Sequence, residues 1–291
     1  WWHPTDPDQL QVINGAPGQR AQVEAWSANT GTATEILQSA PPVPTSPDGS
    51  LNVFSAPSYV TINRPVDGVE WVVYTGAPPA ISPDNRQLVW VTSGGPRVPG
   101  QPAPPASIWL SDINGDNARI IISDAGFGVQ WLDMDRLLIR QSFTGRITAL
   151  TVYDTSDSSV YSLGNFRNLR GLSVAPGGNR LMYMLTWQSD PATDGVYVLD
   201  VAEGAVPQQL PWFGGWRWRD RDSVYYLPLD ANNRFHSLAY YHIPSGENRI
   251  LTTPETLPFT IKNGDWDVSV DGKRIVFHEA ADNEMWLLEM D

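Results

Sequence analysis

The feature that most constrains this chain is a short recurring segment in which a polar turn leads into an apolar strand. It reads Ser-Pro-Asp-Gly-Ser-Leu-Asn-Val-Phe at Ser46–Phe54, and near copies occur at Ser82–Val91 and Ser269–Phe277. In such a turn proline fixes φ, Gly or Asn takes the left-handed position, and Asp accepts hydrogen bonds from nearby amides. The segment therefore predicts a tight structural turn that connects two β-strands.

Weaker copies of this segment extend the repeat over the whole chain. If the first apolar residue after each turn is taken as an anchor, the anchors are Leu10, Leu51, Leu88, Leu137, Leu181, Val224 and Ile275. They recur with a period of about 40–50 residues, which is typical of the four-stranded blades of β-propellers.

The remainder of each repeat also favours strands. A segment such as Val129–Leu132 precedes the turn, and a hairpin such as Leu238–Leu251 follows the anchor strand. Branched and aromatic residues are frequent in both, as in pleated, half-buried strands. We therefore predict an all-β fold, a β-propeller of four-stranded antiparallel blades, as a single domain over residues 1–291. The best helix candidate, Gln19–Trp26, is short.

The number of blades depends on the two ends of the chain. The sequence stops after the strand Met285–Met290, so the last repeat has no fourth strand of its own. Residues 1–38 either form a complete blade or are partly used to close a six-bladed ring. Seven blades, with a three-stranded last blade, are favoured, and six are the alternative.

Composition limits the classes of function. The formal net charge of −13 argues against nucleic-acid binding, because neutralising phosphates requires a basic surface. The absence of cysteine excludes disulfides, thiolate zinc sites and cysteine nucleophiles. No apolar run approaches the ~18 residues of a membrane helix. The chain begins Trp1-Trp2-His3-Pro4 without a leader, so we expect either a mature product or a trimmed one, from which an N-terminal signal or anchor could have been removed.

The Ser-Pro-Asp-Gly turn, followed by a strand such as Ile108-Trp109-Leu110 and the Asn114-Gly115 turn, resembles the PD40 (WD40-like) repeat. That repeat occurs in TolB-like periplasmic propellers and in the propeller domains of prolyl oligopeptidase and dipeptidyl-peptidase relatives. The resemblance implies the propeller fold. Together with the absence of cysteine, it implies an extracytoplasmic location, periplasmic or at the cell surface. It carries almost no information about activity.

Residues for catalysis or metal binding are few. No Gly-x-Ser-x-Gly nucleophile elbow is present, and the four histidines lack zinc-protease spacing: His3, His236, His242 and His278. The pattern Asp112-x-Asn114-x-Asp116 is a weak calcium candidate, because it lacks the distal glutamate of a calcium loop. A plain hairpin turn is favoured there. We therefore assign no catalytic residue, no cofactor and no metal site.

Two departures from the repeat are candidate partner-binding sites. The first is an alternating ribbon whose side chains are Trp212, Trp216, Arg217, Trp218 and Arg219. Trp and Arg are favoured at interface hot spots. The alternative, which is favoured, is that the tryptophans pack between blades and the arginines pair with Asp or Glu. The second departure is the Pro-rich insert Gly94–Ala106, whose Pro99 and Pro102 could dock a partner or belong to a floppy loop.

The function we favour from sequence is a non-enzymatic, extracytoplasmic binding or scaffold propeller for a protein or peptide partner. A related interpretation is that the chain is a structural subunit of a larger envelope or surface assembly. The alternative is an enzyme with its pocket at the mouth of the propeller channel, of the lyase, glycosidase or quinoprotein type. A cluster of His and carboxylate side chains in one pocket would favour the enzyme.

Overall fold

The structure of the protein is a computed structural model, and it describes residues 2–3, 5–14, 22–38, 46, 48–56, 59–92, 105–124, 126–230 and 232–290. In this part of the chain the strands form seven antiparallel sheets, and one turn of 3-10 helix lies at Pro191–Thr193. The all-β class is therefore confirmed, and the number of sheets agrees with the seven predicted blades.

The sheets are numbered in chain order, and in each the strands pair with their chain neighbours as a meander. Sheet 1 contains β1 (Gln9–Asn14), β2 (Gln22–Ser27) and β3 (Thr32–Gln38), and sheet 2 contains β4 (Asn52–Ser55), β5 (Val60–Arg64) and β6 (Val69–Val73). Sheet 3 contains β7 (Ala80–Ile81), β8 (Gln87–Thr92), β9 (Ala106–Asp112) and β10 (Arg119–Asp124). Sheet 4 contains β11 (Phe127–Trp131), β12 (Arg136–Phe143), β13 (Ile147–Asp154) and β14 (Val160–Arg167).

The remaining sheets follow the same plan. Sheet 5 contains β15 (Leu169–Val174), β16 (Arg180–Leu185), β17 (Gly195–Asp200) and β18 (Gln208–Gln209). Sheet 6 contains β19 (Gly214–Trp218), β20 (Ser223–Pro228), β21 (Leu238–His242) and β22 (Glu247–Thr252), and sheet 7 contains β23 (Ile261–Val268), β24 (Arg274–Glu279) and β25 (Met285–Glu289). The chain divides into two compact units, residues 43–210 with sheets 2 to 5, and residues 1–42 with 211–291, which hold sheets 1, 6 and 7. The prediction of a single domain stays a prediction.

The anchors of the sequence repeat mark equivalent strands. In sheets 3 to 7 the anchor lies in the second strand, and in sheets 1 and 2 it lies in or directly before the first strand described. In sheet 1, Trp2 forms an isolated antiparallel bridge with Leu10, at the position that the first strand occupies in sheets 3 to 7. Sheet 7 has no fourth strand among the described residues, as predicted. The short helix candidate Gln19–Trp26 is a strand over its described part, where β2 pairs with two strands.

The recurring turns have the predicted chemistry. Ser269 Oγ donates to Asp271 Oδ1 at 2.6 Å and accepts from the Arg274 amide at 2.9 Å, and the Ser46 and Ser82 turns repeat the serine-to-aspartate bond at the same distance. Gly272 takes the left-handed position with φ +69. Each turn thus satisfies its own polar groups while its serine is buried.

Neighbouring sheets pack face to face through apolar side chains. Between sheets 4 and 5 the core contains Leu138, Leu150, Leu163, Phe166, Leu181, Tyr183, Tyr197 and Leu199. Between sheets 6 and 7 it contains Tyr225, Leu238, Tyr240, Phe259, Trp266, Ile275 and Phe277. Between sheets 1 and 7 it contains Trp2, Leu10, Ala28 and Val276. Burial of these faces is the main source of stability.

An arginine at the start of the second strand connects some sheets to the next. Arg136 of sheet 4 donates to the carbonyl oxygens of Gly178 and Val201 in sheet 5, both at 3.3 Å. Arg274 of sheet 7 pairs with Asp8 and donates to the Pro7 carbonyl oxygen at 3.0 Å, ahead of sheet 1. Sheet 1 is therefore held to sheet 7 by side chains, and no strand of sheet 1 joins the backbone pairing of sheet 7 in the described chain.

Candidate functional site

The Trp/Arg ribbon lies largely inside the unit that contains sheets 6 and 7. Trp212 is buried, and its ring stacks on Tyr226 with 4.1 Å between centroids. Trp216 is also buried, whereas Trp218 is half-buried. Trp212 and Trp216 therefore pack inside the protein, as the favoured interpretation of the ribbon predicted for its tryptophans. They have little exposed surface for contact with a partner.

The arginines of the ribbon have different partners from those predicted. Arg217 Nε donates to the Trp266 carbonyl oxygen at 3.0 Å, and its guanidinium lies 5.1 Å from the Trp266 ring centroid. Arg219 lies over two tyrosine rings, 5.9 Å from the Tyr225 centroid and 5.4 Å from that of Tyr240. Carbonyl oxygens and aromatic rings thus take the place of the expected carboxylates. Partner binding by Arg217, Trp218 and Arg219 stays a prediction.

Arg219 lines the groove that is the main candidate site, and we call it the β25 groove. It has a volume of about 430 Å³ between sheet 6 and β25, and its lining is Arg219, Tyr225, Tyr240, Arg249, Leu251, Thr252, Leu257, Leu288, Glu289 and Met290. The walls therefore combine an apolar surface with two cations and one anion.

Two guanidinium groups dominate the charge in the β25 groove. Arg249 lies opposite Tyr240 in the register of β21 and β22, and its guanidinium is 4.8 Å from the Tyr240 centroid. Arg249 also pairs with Glu247 at 3.0 Å, on an exposed part of the surface. Arg219 has no carboxylate oxygen within 4.0 Å among the described residues. Within the described chain, Arg219 is therefore the guanidinium of the groove that lacks a carboxylate partner, whereas Arg249 is paired with Glu247.

Tyr225 supports the position of Arg219. Burial raises the pKa of Tyr225, although the nearby Arg219 opposes that shift. The protonated hydroxyl donates to the Gly272 carbonyl oxygen at 3.0 Å. An added Cβ at Gly272 would lie 2.7 Å from Arg219 Cγ. The turn before β24 therefore packs closely against Arg219.

A second candidate site is a cleft of about 220 Å³ between sheets 1 and 7. It is lined by Leu10, Gln11, Val12, Asp265, Trp266, Asp267, Val276, Phe277, His278 and Met285. His278 Nδ1 and Asp265 Oδ2 are 2.5 Å apart, and both side chains are solvent-exposed. A carboxylate that orients an imidazole is a common arrangement in acid–base catalysis.

The remaining predicted residues are in turns or outside the described chain. Asn114 Nδ2 donates to Asp116 Oδ2 at 2.8 Å, and Asn117 Nδ2 donates to Asp112 Oδ2 at 2.6 Å, as in a self-satisfied hairpin turn. Within the described ranges, no three His, Asp or Glu side chains are grouped so as to hold a metal ion. Pro99 and Pro102 lie outside the described residues. No helix in the described chain has the length and apolar character to cross a membrane.

Sequence reasoning missed most of the β25 groove. Tyr240 and Arg249 belong to an ordinary hairpin, and their pairing depends on the register of β21 and β22. One signal was available, because the Trp/Arg ribbon includes Arg219, which lines the groove. The His278–Asp265 pair was missed because β23 bulges between Ile261 and Trp266, which no spacing in the sequence announces.

Comparisons with known proteins define the class by fold. No protein-family model matches the chain, and no curated protein sequence matches it. A structure of oligogalacturonate lyase in complex with manganese is similar over 100% of this chain and 88% of that chain, with 14% identity and a TM-score of 0.64. The β-propeller domain of the Trilobed protease from Pyrococcus furiosus, reported with an open velcro topology, is similar over 96% of this chain and 81% of that chain, with 10% identity and a TM-score of 0.52.

A third similar structure is puromycin hydrolase, with 16% identity and a TM-score of 0.60. The similarity covers 97% of this chain, which spans 50% of that chain. The fold of the chain is therefore that of a β-propeller, as the repeat and the PD40 resemblance implied. Propellers with this fold include both binding proteins and enzymes, so the fold alone leaves the function open.

Proposed function

We propose that the chain is a non-enzymatic binding propeller that captures a protein or peptide partner in the β25 groove. The observation that carries the proposal is the placement of two guanidinium groups, those of Arg219 and Arg249, over the ring of Tyr240 in a groove whose walls are both polar and apolar. Arginine and tyrosine are the residues most enriched at interface hot spots. We place the protein outside the cytoplasm, on the basis of the PD40 resemblance and the absence of cysteine.

The size and lining of the groove support a peptide segment as the ligand. A volume of about 430 Å³ is within the range of specific ligand sites. Leu257 and Leu288 supply apolar contact, and the arginines supply orientation through charge-assisted hydrogen bonds to a carboxylate. The predicted scaffold role in a larger assembly would use the same contact.

The test is selection of peptides on the immobilised protein from a displayed library of random dodecapeptides. Affinities of the enriched peptides are then measured for the wild type and for Arg249→Glu. We expect at least a tenfold loss, equivalent to ~1.4 kcal/mol, because the variant places a carboxylate in the groove. The matched control is Arg64→Glu in sheet 2, where Arg64 likewise lies over an aromatic ring, Trp71, and pairs with a nearby carboxylate.

Two results would contradict the proposal. One is a set of peptides that bind Arg249→Glu as tightly as the wild type. The other is a library that enriches no further on the wild type than on Arg249→Glu. Thermal unfolding of both variants establishes that each remains folded.

A second function is favoured by the cleft between sheets 1 and 7. His278 and Asp265 are placed there as an acid–base pair, with Asp267 in the same lining. The fold is shared with an oligogalacturonate lyase, so acidic oligosaccharides are the first substrates to assay. Formation of an unsaturated product that is lost in His278→Gln, and retained in the surface control His242→Gln, would support this enzyme. The β25 groove is preferred because it has the larger volume of the two sites and combines charged and apolar side chains.

A further inference from the structure

We infer that a pocket shared by sheets 4 and 5 binds a small aromatic anion, and we call it the Trp187 pocket. Its volume is about 340 Å³, and its lining includes Phe143, Arg146, Ile147, Asn168, Arg170 and Trp187. These residues belong to the unit 43–210, whereas those of the β25 groove belong to the other unit. The inference therefore goes beyond the proposed function and does not depend on it.

Three chain connections form the Trp187 pocket at one end of the two sheets. They are the hairpin between β12 and β13, the connection from β14 to β15, and the loop from β16 to β17. In an antiparallel meander every second connection lies at the same end, so these three meet. The turn between β15 and β16, which belongs to the sequence repeat, lies at the opposite end. The pocket is therefore built from connections outside the recurring turn.

The backbone of the pocket is left-handed at three residues that are not glycine. The angle φ is +61 at Arg146, +54 at Asn168 and +54 at Trp187. Asparagine adopts this conformation readily, whereas a bulky residue such as tryptophan rarely does. Residues held in such conformations cluster at active sites and ligand clamps, where surrounding contacts fix them.

Hydrogen bonds connect the three left-handed residues. The Asn168 amide donates to the Arg146 carbonyl oxygen at 2.8 Å, and Asn168 Nδ2 donates to the Trp187 carbonyl oxygen at 3.2 Å. The Asp194 carboxylate accepts from the amides of Trp187 and Gln188, at 3.0 and 2.8 Å. The Trp187 side chain is nevertheless 60% exposed. These contacts therefore fix the backbone of Trp187 and leave much of its ring in solvent.

The exposed aromatic surface is suited to a planar ring. Phe143 and Ile147 are also exposed, and they line the same pocket as Trp187. The Arg170 guanidinium lies 4.1 Å from the centroid of the Trp187 ring, which supports that ring from one side. Stacking between aromatic rings is favourable beyond the area that it buries. Apolar and aromatic walls with a few placed polar groups are typical of small-molecule sites.

The charge of the pocket selects an anion. Its lining contains two cations, Arg146 and Arg170, and no carboxylate, in a chain with a formal net charge of −13. Neither arginine has a carboxylate oxygen within 4.0 Å in the ranges that the structure describes. Guanidinium groups form strong, charge-assisted hydrogen bonds with carboxylates and phosphates. A ligand with a ring and an anionic group therefore matches both parts of the lining.

The test is isothermal titration calorimetry of the protein with three probes. The probe 2-naphthoate has both the ring and the charge, 2-naphthamide has the ring alone, and acetate has the charge alone. We expect 2-naphthoate to bind about tenfold more tightly than 2-naphthamide, because only the anion gains charge-assisted bonds, and more tightly still than acetate. Equal affinities for 2-naphthoate and 2-naphthamide would overturn the inference.

A double variant locates the anionic group of the probe. Arg146→Gln with Arg170→Gln should remove the preference for 2-naphthoate over 2-naphthamide, because both cations of the lining are lost. The matched control is Arg86→Gln with Arg119→Gln, which changes the net charge equally at two exposed residues outside the lining. The control should keep the preference. A preference that survives in the double variant would place the probe at another site and overturn the inference.

Trp187→Asn tests the ring. Asparagine accepts the left-handed conformation, so this variant removes the indole and relieves the strain. We expect 2-naphthoate to bind about fivefold more weakly, with little change in melting temperature, because the relief of strain offsets the lost contact with Arg170. Unchanged affinity in Trp187→Asn would overturn the inference. Peptide capture by the β25 groove is tested separately, since the two sites share no residue.

Discussion

Sheet 4 and sheet 7 are built from the same repeat, yet one has four strands and the other three. In sheet 4 the fourth strand, β14, buries Leu163 and Phe166 in the core shared with sheet 5. In sheet 7 the chain provides no equivalent strand within the described residues, and β25 borders an open groove. The contrast shows that sheets built from one repeat can differ in what lies beside their last described strand, a packed fourth strand in sheet 4 and the β25 groove in sheet 7.

The turns before the second strands of sheets 5 and 7 both pack closely against the preceding sheet, and this gives the largest expected effect. An added Cβ at Gly178 would lie 2.1 Å from the Leu132 carbonyl oxygen, and one at Gly272 would lie 2.8 Å from the Arg219 carbonyl oxygen. Both glycines have φ +69. We expect Gly178→Ala to lower the free energy of unfolding by about 3 kcal/mol, from overpacking and left-handed strain. Gly272→Ala should lower the free energy of unfolding by a somewhat smaller amount.

The control for both glycines is Gly49→Ala. Gly49 has φ +73, but an added Cβ would meet nothing within 4 Å. The expected loss is therefore only the strain of about 1 kcal/mol. Urea unfolding of the three variants measures the free energy of unfolding of each and so gives the order of the losses. Equal losses at all three positions would show that close approach between sheets is unimportant. Gly272→Ala should also weaken peptide binding, because it displaces Arg219.

The arginine contacts give an intermediate effect. Arg136→Met removes bonds to two carbonyl oxygens, and Arg274→Met removes a bond to one carbonyl oxygen and the pair with Asp8. Charge-assisted hydrogen bonds contribute ~1.5–3 kcal/mol, so we expect a loss of about 2 kcal/mol in each variant. Arg136 also pairs with Asp133 at 2.7 Å, so each variant loses an ion pair and both losses should shrink as salt is raised. Losses that do not change with salt would contradict a contribution from these ion pairs.

The smallest expected effect is a dependence of the melting temperature on pH, which arises from a histidine that contacts sheet 7. Burial lowers the pKa of His236, although Glu279 opposes the shift, and His236 Nδ1 accepts from the Ile261 amide at 2.9 Å. The stability from neutral His236 is therefore present above the ordinary histidine pKa of about 6.5 and is lost as pH falls toward the lowered pKa. The melting temperature should fall between pH 7.5 and pH 5.5.

The variant that tests this assignment is His236→Asn, whose Oδ1 can accept from the Ile261 amide without titrating. The fall in melting temperature should shrink in His236→Asn and persist in His242→Asn, since His242 bonds Ser245 at an exposed turn. Residues 43–210, with sheet 4, contain no histidine. An unchanged pH response in His236→Asn would assign the effect to carboxylates instead.

The strands and turns could be predicted because their causes are local. Ser269, Asp271 and Gly272 satisfy one another within a few residues, so their pattern is readable in the sequence. These features required no knowledge of which sheets are neighbours.

The candidate site could not be predicted to the same extent because it forms between sheets. Arg219 follows β19, Arg249 lies on β22 and Leu288 lies on β25, so their proximity depends on three-dimensional packing. The ribbon directed attention to Arg219 but grouped it with Trp216, which packing buries. Alternation along a strand predicts which side chains share a face, but it does not predict which face another sheet covers.

The attachment of sheet 1 has a consequence for how the molecule opens. Sheet 1 contacts sheet 7 through Trp2, Leu10 and Val276 and through Arg274, without shared backbone pairing in the described chain. The core that sheet 1 shares with sheet 7 has four buried side chains in the described chain, against ten between sheets 6 and 7, so we expect the opening of sheet 1 to need less free energy. Amide protons in β1 and β2 should therefore exchange with solvent deuterium before those of β24, which makes sheet 1 the first cooperative unit to unfold.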